Sequence, residues 1–208
     1  MANLVLPVAG APLTAEIVEE VTRKLPDATW KTEVTISKVS RDAAGRMRIE
    51  ANINSPDGDA TLAVQIMDRA EGFMALLIPA ENAGGRLNFP KQDPSAPGNI
   101  AFFGGPLIEV PGTKSVKSEP IGKQIIEGIA FQGDRTTTTS DGQPSLVGVE
   151  EHWMNRELGL IGLMKSSGPN EQTSAKLRNI RRVDPDPSLF RIPPDYDVRD
   201  LKDTAPPH

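Results

Sequence analysis

Two histidines occur in the chain, and the internal one sits among carboxylates in the run Glu150-Glu151-His152. In an extended segment, Glu150 and His152 fall on one face, the arrangement that a general acid/base pair or a two-ligand metal site would use. Arg135, in the preceding run, is the cation that would complete such a set. One imidazole with carboxylates is nonetheless a weak metal signature, and a solvated strand histidine produces the same pattern. No catalytic set, no metal and no cofactor is therefore expected, with His152, Glu150 and Arg135 held as the alternative, catalytic reading. Asp57-Gly58-Asp59 and Asp184-Pro185-Asp186 lack the ligand spacing of a calcium loop and read as turns. Gly84-Gly85 and Gly104-Gly105 lack the strand-to-helix setting of a phosphate loop, and no Gly-x-Ser-x-Gly elbow occurs. Thr136 to Thr139 reads as cross-strand packing on a wet sheet face.

Apolar residues supply the other candidate chemistry. Phe73 to Ile78 is apolar at both phases, so it is either covered on both faces or lines a cavity. Ile100 to Ile108 is the most apolar part of a long Pro- and Gly-rich stretch. An apolar binding surface would draw on Phe73, Leu76, Ile78, Phe102, Phe103, Leu107, Phe131 and Trp153.

The elements that must hold these residues are strands. Met47, Ile49, Ala51 and Ile53 alternate with Arg48, Glu50, Asn52 and Asn54, which predicts a strand with one dry and one wet face. Trp30, Val34 and Ile36 keep the same period before the turn residues Arg41-Asp42-Ala43-Ala44-Gly45, so the pair is expected to be an antiparallel hairpin with those residues on its dry side. Thr14 could cap a helix carrying Ile17, Val18 and Val21, but the β-branched content of Thr14 to Lys24 favours a strand. Alternating runs follow from Ala60 to Ile66, Lys123 to Ile126, Ile129 to Thr139, Leu146 to Asn155, Leu158 to Lys165 and Thr173 to Val183. Asp184 to Phe190 has the chemistry of one helical turn. Prolines recur from Pro79 to Pro120, so residues 80–118 are expected to be an irregular insert or lid. The whole is predicted to be mainly β: about ten strands in a curved antiparallel meander forming a half-open barrel. It would be a single domain over residues 1–200 with a disordered tail at 201–208.

The C-terminal residues carry a resemblance. Leu177-Arg178-Asn179-Ile180-Arg181-Arg182, Pro185-Asp186-Pro187-Ser188-Leu189-Phe190 and Pro194-Asp195-Tyr196-Asp197-Val198 resemble the end of a group of uncharacterised secreted proteins of Acidobacteria. Pro7 to Pro12, Arg41 to Arg46 and Glu151-His152-Trp153 support it. More distantly, a meander ending in a Phe-x-x-Pro segment is similar to the LolA-like fold of outer-membrane lipoprotein carriers. That resemblance implies a half-open barrel whose interior takes acyl chains, with residues 79–120 where a lid would lie.

Composition narrows the field. The chain has 208 residues, 38% of them hydrophobic and 4% aromatic, with a formal charge of −5. Phosphate neutralisation needs clustered cations, so no nucleic-acid partner is expected. Cysteine is absent, which excludes disulfides and thiolate chemistry. The longest apolar run is too short to span a bilayer. Met1-Ala2 followed by Asn3-Leu4-Val5-Leu6-Pro7 reads as a mature chain with an artificial start, so a periplasmic or secreted protein is expected. The function that fits is a non-catalytic extracytoplasmic binding or carrier protein for a hydrophobic small molecule, a lipid or an envelope partner. A cofactor-independent enzyme and a structural envelope assembly protein are the alternatives.

Overall fold

A computed structural model describes residues 4–54, 59–93, 113–140 and 147–201 of the chain. Among them run β1 (Leu13–Lys24), β2 (Trp30–Arg41), β3 (Met47–Asn54), β4 (Ala60–Asp68), β5 (Phe73–Ile78), β6 (Ala83–Asn88), β7 (Thr113–Ile126), β8 (Ile129–Ser140), β9 (Val147–Asn155), β10 (Leu160–Ser167), β11 (Glu171–Arg181) and β12 (Asp197–Asp200). They form one twelve-stranded sheet in the order β12-β6-β5-β4-β3-β2-β1-β11-β10-β9-β8-β7. The sheet does not close into a barrel. Two strands exceed the ten expected from sequence. β6 lies within the stretch expected to be irregular, and β7 begins ten residues before Lys123. The β12–β6 pair is parallel, a departure from the expected meander.

The chain divides into two compact units. The first comprises Met1–Leu6, Ile17–Thr35 and Asn99–Asn179; the second comprises Pro7–Glu16, Ile36–Gly98 and Ile180–His208.

In the second unit the β2–β3 register fixes which phase is dry. Ser37 pairs with Ala51, Val39 with Ile49 and Arg41 with Met47, and Ser37, Val39 and Arg41 are the buried phase of β2. The expectation that Ile36 shares the dry face with Met47 is thereby overturned: Ile36 is 58% exposed, on the opposite face. A one-residue offset in register sends every side chain to the other side of a strand, and the polar types at Ser37 and Arg41 masked the true phase. Arg41 is fully buried, and its Nε donates to the carbonyl of Ala11 at 2.8 Å. The hairpin turn is held by the Asp42 carboxylate, which accepts from the Arg46 backbone N–H at 2.8 Å, and by Gly45 at φ +82°, a conformation that side-chain-bearing residues resist.

β4 is covered on both faces: Ala63, Val64, Ile66 and Met67 are all buried. β5 is not. Phe73, Ala75 and Leu77 are buried, whereas Leu76 on the other phase is 47% exposed. Val64, Ile66, Phe73, Ala75 and Leu77 form one cluster, closed over by Ile192, Tyr196 and Val198. Burying each of Val64, Ile66, Phe73 and Leu77 contributes about 1.5–3 kcal/mol. The 3₁₀ turn at Pro187–Phe190 begins where the Asp186 carboxylate accepts from the Ser188 N–H, and Arg48 Nη1 donates to the Leu189 carbonyl at 3.0 Å.

In the first unit Val5 bridges Leu160, and Leu4, Val5, Ile17, Phe131, Leu160, Ala175 and Leu177 are buried. Two glycines make room for rings. A Cβ at Gly162 would lie 2.7 Å from the Phe131 ring, and one at Gly133 would lie 2.6 Å from the ring of its cross-strand partner Trp153.

Candidate functional site

The outer strands of the first unit settle how the polar candidates lie. Arg135 pairs with Glu151, Thr136 with Glu150 and Asp134 with His152. Glu150 and His152 therefore share one face, as their spacing requires, while Arg135 lies on the other with Glu151. The three residues named as a catalytic alternative are not brought together. Arg135 instead donates to Glu151 through Nε at 2.9 Å and Nη2 at 2.7 Å. It also stands 3.8 Å from Glu119, whose other oxygen holds Lys117 at 3.0 Å. The Lys117 bond, first, and its charge hold the Glu119 carboxyl below the usual carboxylate range.

The face that carries Arg135 also carries a groove. Lys165 pairs with Glu151 on one side and Ser174 on the other, and Ser167 pairs with Val149 and Gln172. Together with Glu20 and Thr22 of β1 they line an open depression of about 380 Å³, completed by Ser166 and Thr173. Its walls are hydroxyls, one amide, two carboxylates, one ammonium and the Val149 side chain. Glu151 is engaged by Arg135, whereas Lys165 makes no ion pair among the described residues.

The margin of this face is apolar. Thr22 Oγ1 and Thr32 Oγ1 are 2.8 Å apart, which places Thr32 on the groove side of the β1–β2 hairpin. Trp30 and Val34, two positions to either side of Thr32, take the same face. They are 47% and 59% exposed, not dry as the sequence period suggested. Their phase matches the periodic pattern, but the hairpin arm around them has no covering layer among the described residues.

The apolar residues named from sequence fall in different places. Phe131 and Trp153 are in the first unit, the former buried and the latter half-buried over Gly133. Phe73, Leu76 and Ile78 are in the second: Phe73 is core, Leu76 is exposed and Ile78 is half-buried. Phe102, Phe103 and Leu107 lie outside the described residues. Glu20, Thr22, Lys165, Gln172 and Ser174 carry no motif and were not anticipated. The signal that could have found them is the hydroxyl-rich alternation on both sides of the Gly168 turn.

In the second unit, Arg86, Asn88, Ile192, Pro193, Pro194, Tyr196, Val198 and Asp200 line a further depression of about 510 Å³. No group of three or more metal-ligating side chains occurs among the described residues. No helix among them is long and apolar enough to cross a membrane.

No protein-family model matches the chain, and no curated protein matches it. Solved structures similar to it include a DUF1329 family protein from Desulfovibrio piger, 14% identical over 88% of this chain and 90% of that one, with a TM-score of 0.36. MucB, in the Pseudomonas aeruginosa MucA/MucB complex, is 13% identical over 90% of this chain and 57% of that chain, with a TM-score of 0.44. The LolA superfamily protein NE2245 from Nitrosomonas europaea is 6% identical over 89% and 92%, with a TM-score of 0.39. DUF1329 and LolA superfamily proteins are thus among the structural neighbours of the chain.

Proposed function

We propose that the protein is a non-catalytic, extracytoplasmic binding or carrier protein whose ligand is an amphiphile. The observation that carries this reading is the pairing, on one face of the first unit, of a polar groove with exposed Trp30 and Val34 at its margin. Hydroxyls, Gln172 and Lys165 suit a polar headgroup, and the Trp30 and Val34 side chains suit an apolar body. A purely apolar ligand fits less well, because Phe73 and Phe131 are enclosed by their own cores. The LolA superfamily protein among the structural neighbours agrees with an extracytoplasmic role.

Native mass spectrometry after incubation with an envelope lipid extract tests it. A retained lipid mass is expected in the unaltered protein, and it should fall in both Lys165→Ala and Trp30→Ala, which alter exposed side chains. Failure to retain any adduct would remove the carrier reading.

An enzymatic reading keeps one observation in its favour, the shared face of Glu150, His152 and Asp134. An activity found in a substrate screen and abolished by His152→Ala, with native folding intact, would establish it in place of the binding role.

A further inference from the structure

We infer that the depression at the β6–β12 edge of the second unit is a recognition site for a carboxylate borne on an apolar body. The argument starts from Arg86. Its guanidinium lies over the Phe73 ring with 4.3 Å from Cζ to the centroid, and its Nε donates to Asn88 Oδ1 at 2.8 Å. Stacking and one hydrogen bond hold the fork in place, yet Arg86 makes no ion pair among the described residues, and neither Nη has a partner there. Tyr196 also lines the depression, and its hydroxyl bonds to no described residue. Two residues with open donors thus line one concavity, whose other lining residues are Ile192, Pro193, Pro194 and Val198 together with Asn88 and Asp200. A held guanidinium with open Nη positions matches the two oxygens of a carboxylate, and the prolines and aliphatics match an apolar neighbour of that group.

Charge selects among anions. Asn88 Nδ2 donates to Asp200 Oδ1 at 2.8 Å, so one carboxylate already stands at the rim beside a single cation. A monoanion is tolerated there, whereas a phosphate dianion would meet Asp200 with too little positive charge to offset it. The carboxylate could end a peptide chain or a fatty acyl chain, and the two sources share this chemistry.

The test is an amide-detected NMR titration of the full chain with three probes: N-acetyl-leucine, N-acetyl-leucinamide and decanoate. Saturable shifts at residues 84–88 and 192–200 are expected with at least one carboxylate probe and not with the amide. Acetyl-leucine binding would identify the peptide-terminus source, and decanoate binding alone the acyl source. Arg86→Gln should weaken the productive probe by at least about tenfold, Arg86→Lys by less, and Tyr196→Phe by about threefold, since a charge-assisted fork exceeds a single neutral hydrogen bond. Equal binding of acid and amide, or no saturable binding of either acid, would overturn the inference. Carboxylate-over-amide selectivity is read on the unaltered protein, so the outcome does not depend on the variants folding.

Discussion

Single atoms decide two contacts in the first unit. Gly133 and Gly162 hold their places because rings occupy the space a Cβ would take, at 2.6 Å from Trp153 and 2.7 Å from Phe131. Gly133→Ala and Gly162→Ala should each cost about 1–3 kcal/mol, measured by urea unfolding, because the rings must leave favoured rotamers. Charged side chains set the pH response. Asp27 accepts from the Thr29 hydroxyl at 2.6 Å, and that bond, first, holds its carboxyl below the ordinary 3.8. Lys31 does the same for Glu33, below 4.5, and the Ser188 N–H does so for Asp186. A carboxyl lowered in the folded state stabilises above its unfolded value, and that stability is lost as pH falls through the folded value. Burial pushes Arg41 down to about 10, so its contribution rises with pH only above that value. The thermal midpoint should therefore change little between about pH 6 and pH 8 and drop below about pH 4. A drop already present at neutral pH would contradict this assignment.

At the level of elements, coverage governs more than propensity. β4 and β5 are both rich in apolar residues, yet only β4 is dry on both faces, because Leu76 of β5 remains exposed while Leu77 is buried. Leu77→Ala should destabilise by about 2–5 kcal/mol, as it opens the cluster closed by Ile192, Tyr196 and Val198. Leu76→Ala should cost less than about 1 kcal/mol in the same denaturant titration, since its side chain already meets solvent. Comparable losses in the two variants would mean that β5 is packed on both sides after all. The edges also differ. β12 has four residues and carries Asp197 and Asp200, a short charged end that discourages strand pairing. β7 has fourteen residues but is interrupted by a register shift between Pro120 and Gly122. The carbonyl and amide groups of a bulge cannot continue a regular ladder.

Across the whole molecule, local period and turn chemistry determined most of the strands. Alternation in Met47 to Asn54 and the turn at Arg41 to Gly45 each left one inexpensive local solution, the β-branched run after Thr14 favoured a strand over a helix, and the sheet contains all three. Absence of cysteine excluded disulfides and thiolate chemistry in the same direct way. Strand β6 was hidden because Gly84 and Gly85 have little strand propensity. Its antiparallel pairing to the preceding β5 is local, whereas its parallel pairing to β12 comes from a partner far away in sequence. The face of each strand was hidden for a related reason. Trp30 and Val34 look like core residues by type, and Arg41 looks like surface, yet the fold exposes the first two and buries the third. Periodicity says that two faces differ; only the layers packed against them say which becomes dry. The separation of Arg135 from His152 and the gathering of Glu20, Lys165 and Ser174 into one groove likewise follow from cross-strand register, set by the sequential β8–β9, β9–β10 and β10–β11 pairings and by the long-range placement of β1 beside β11.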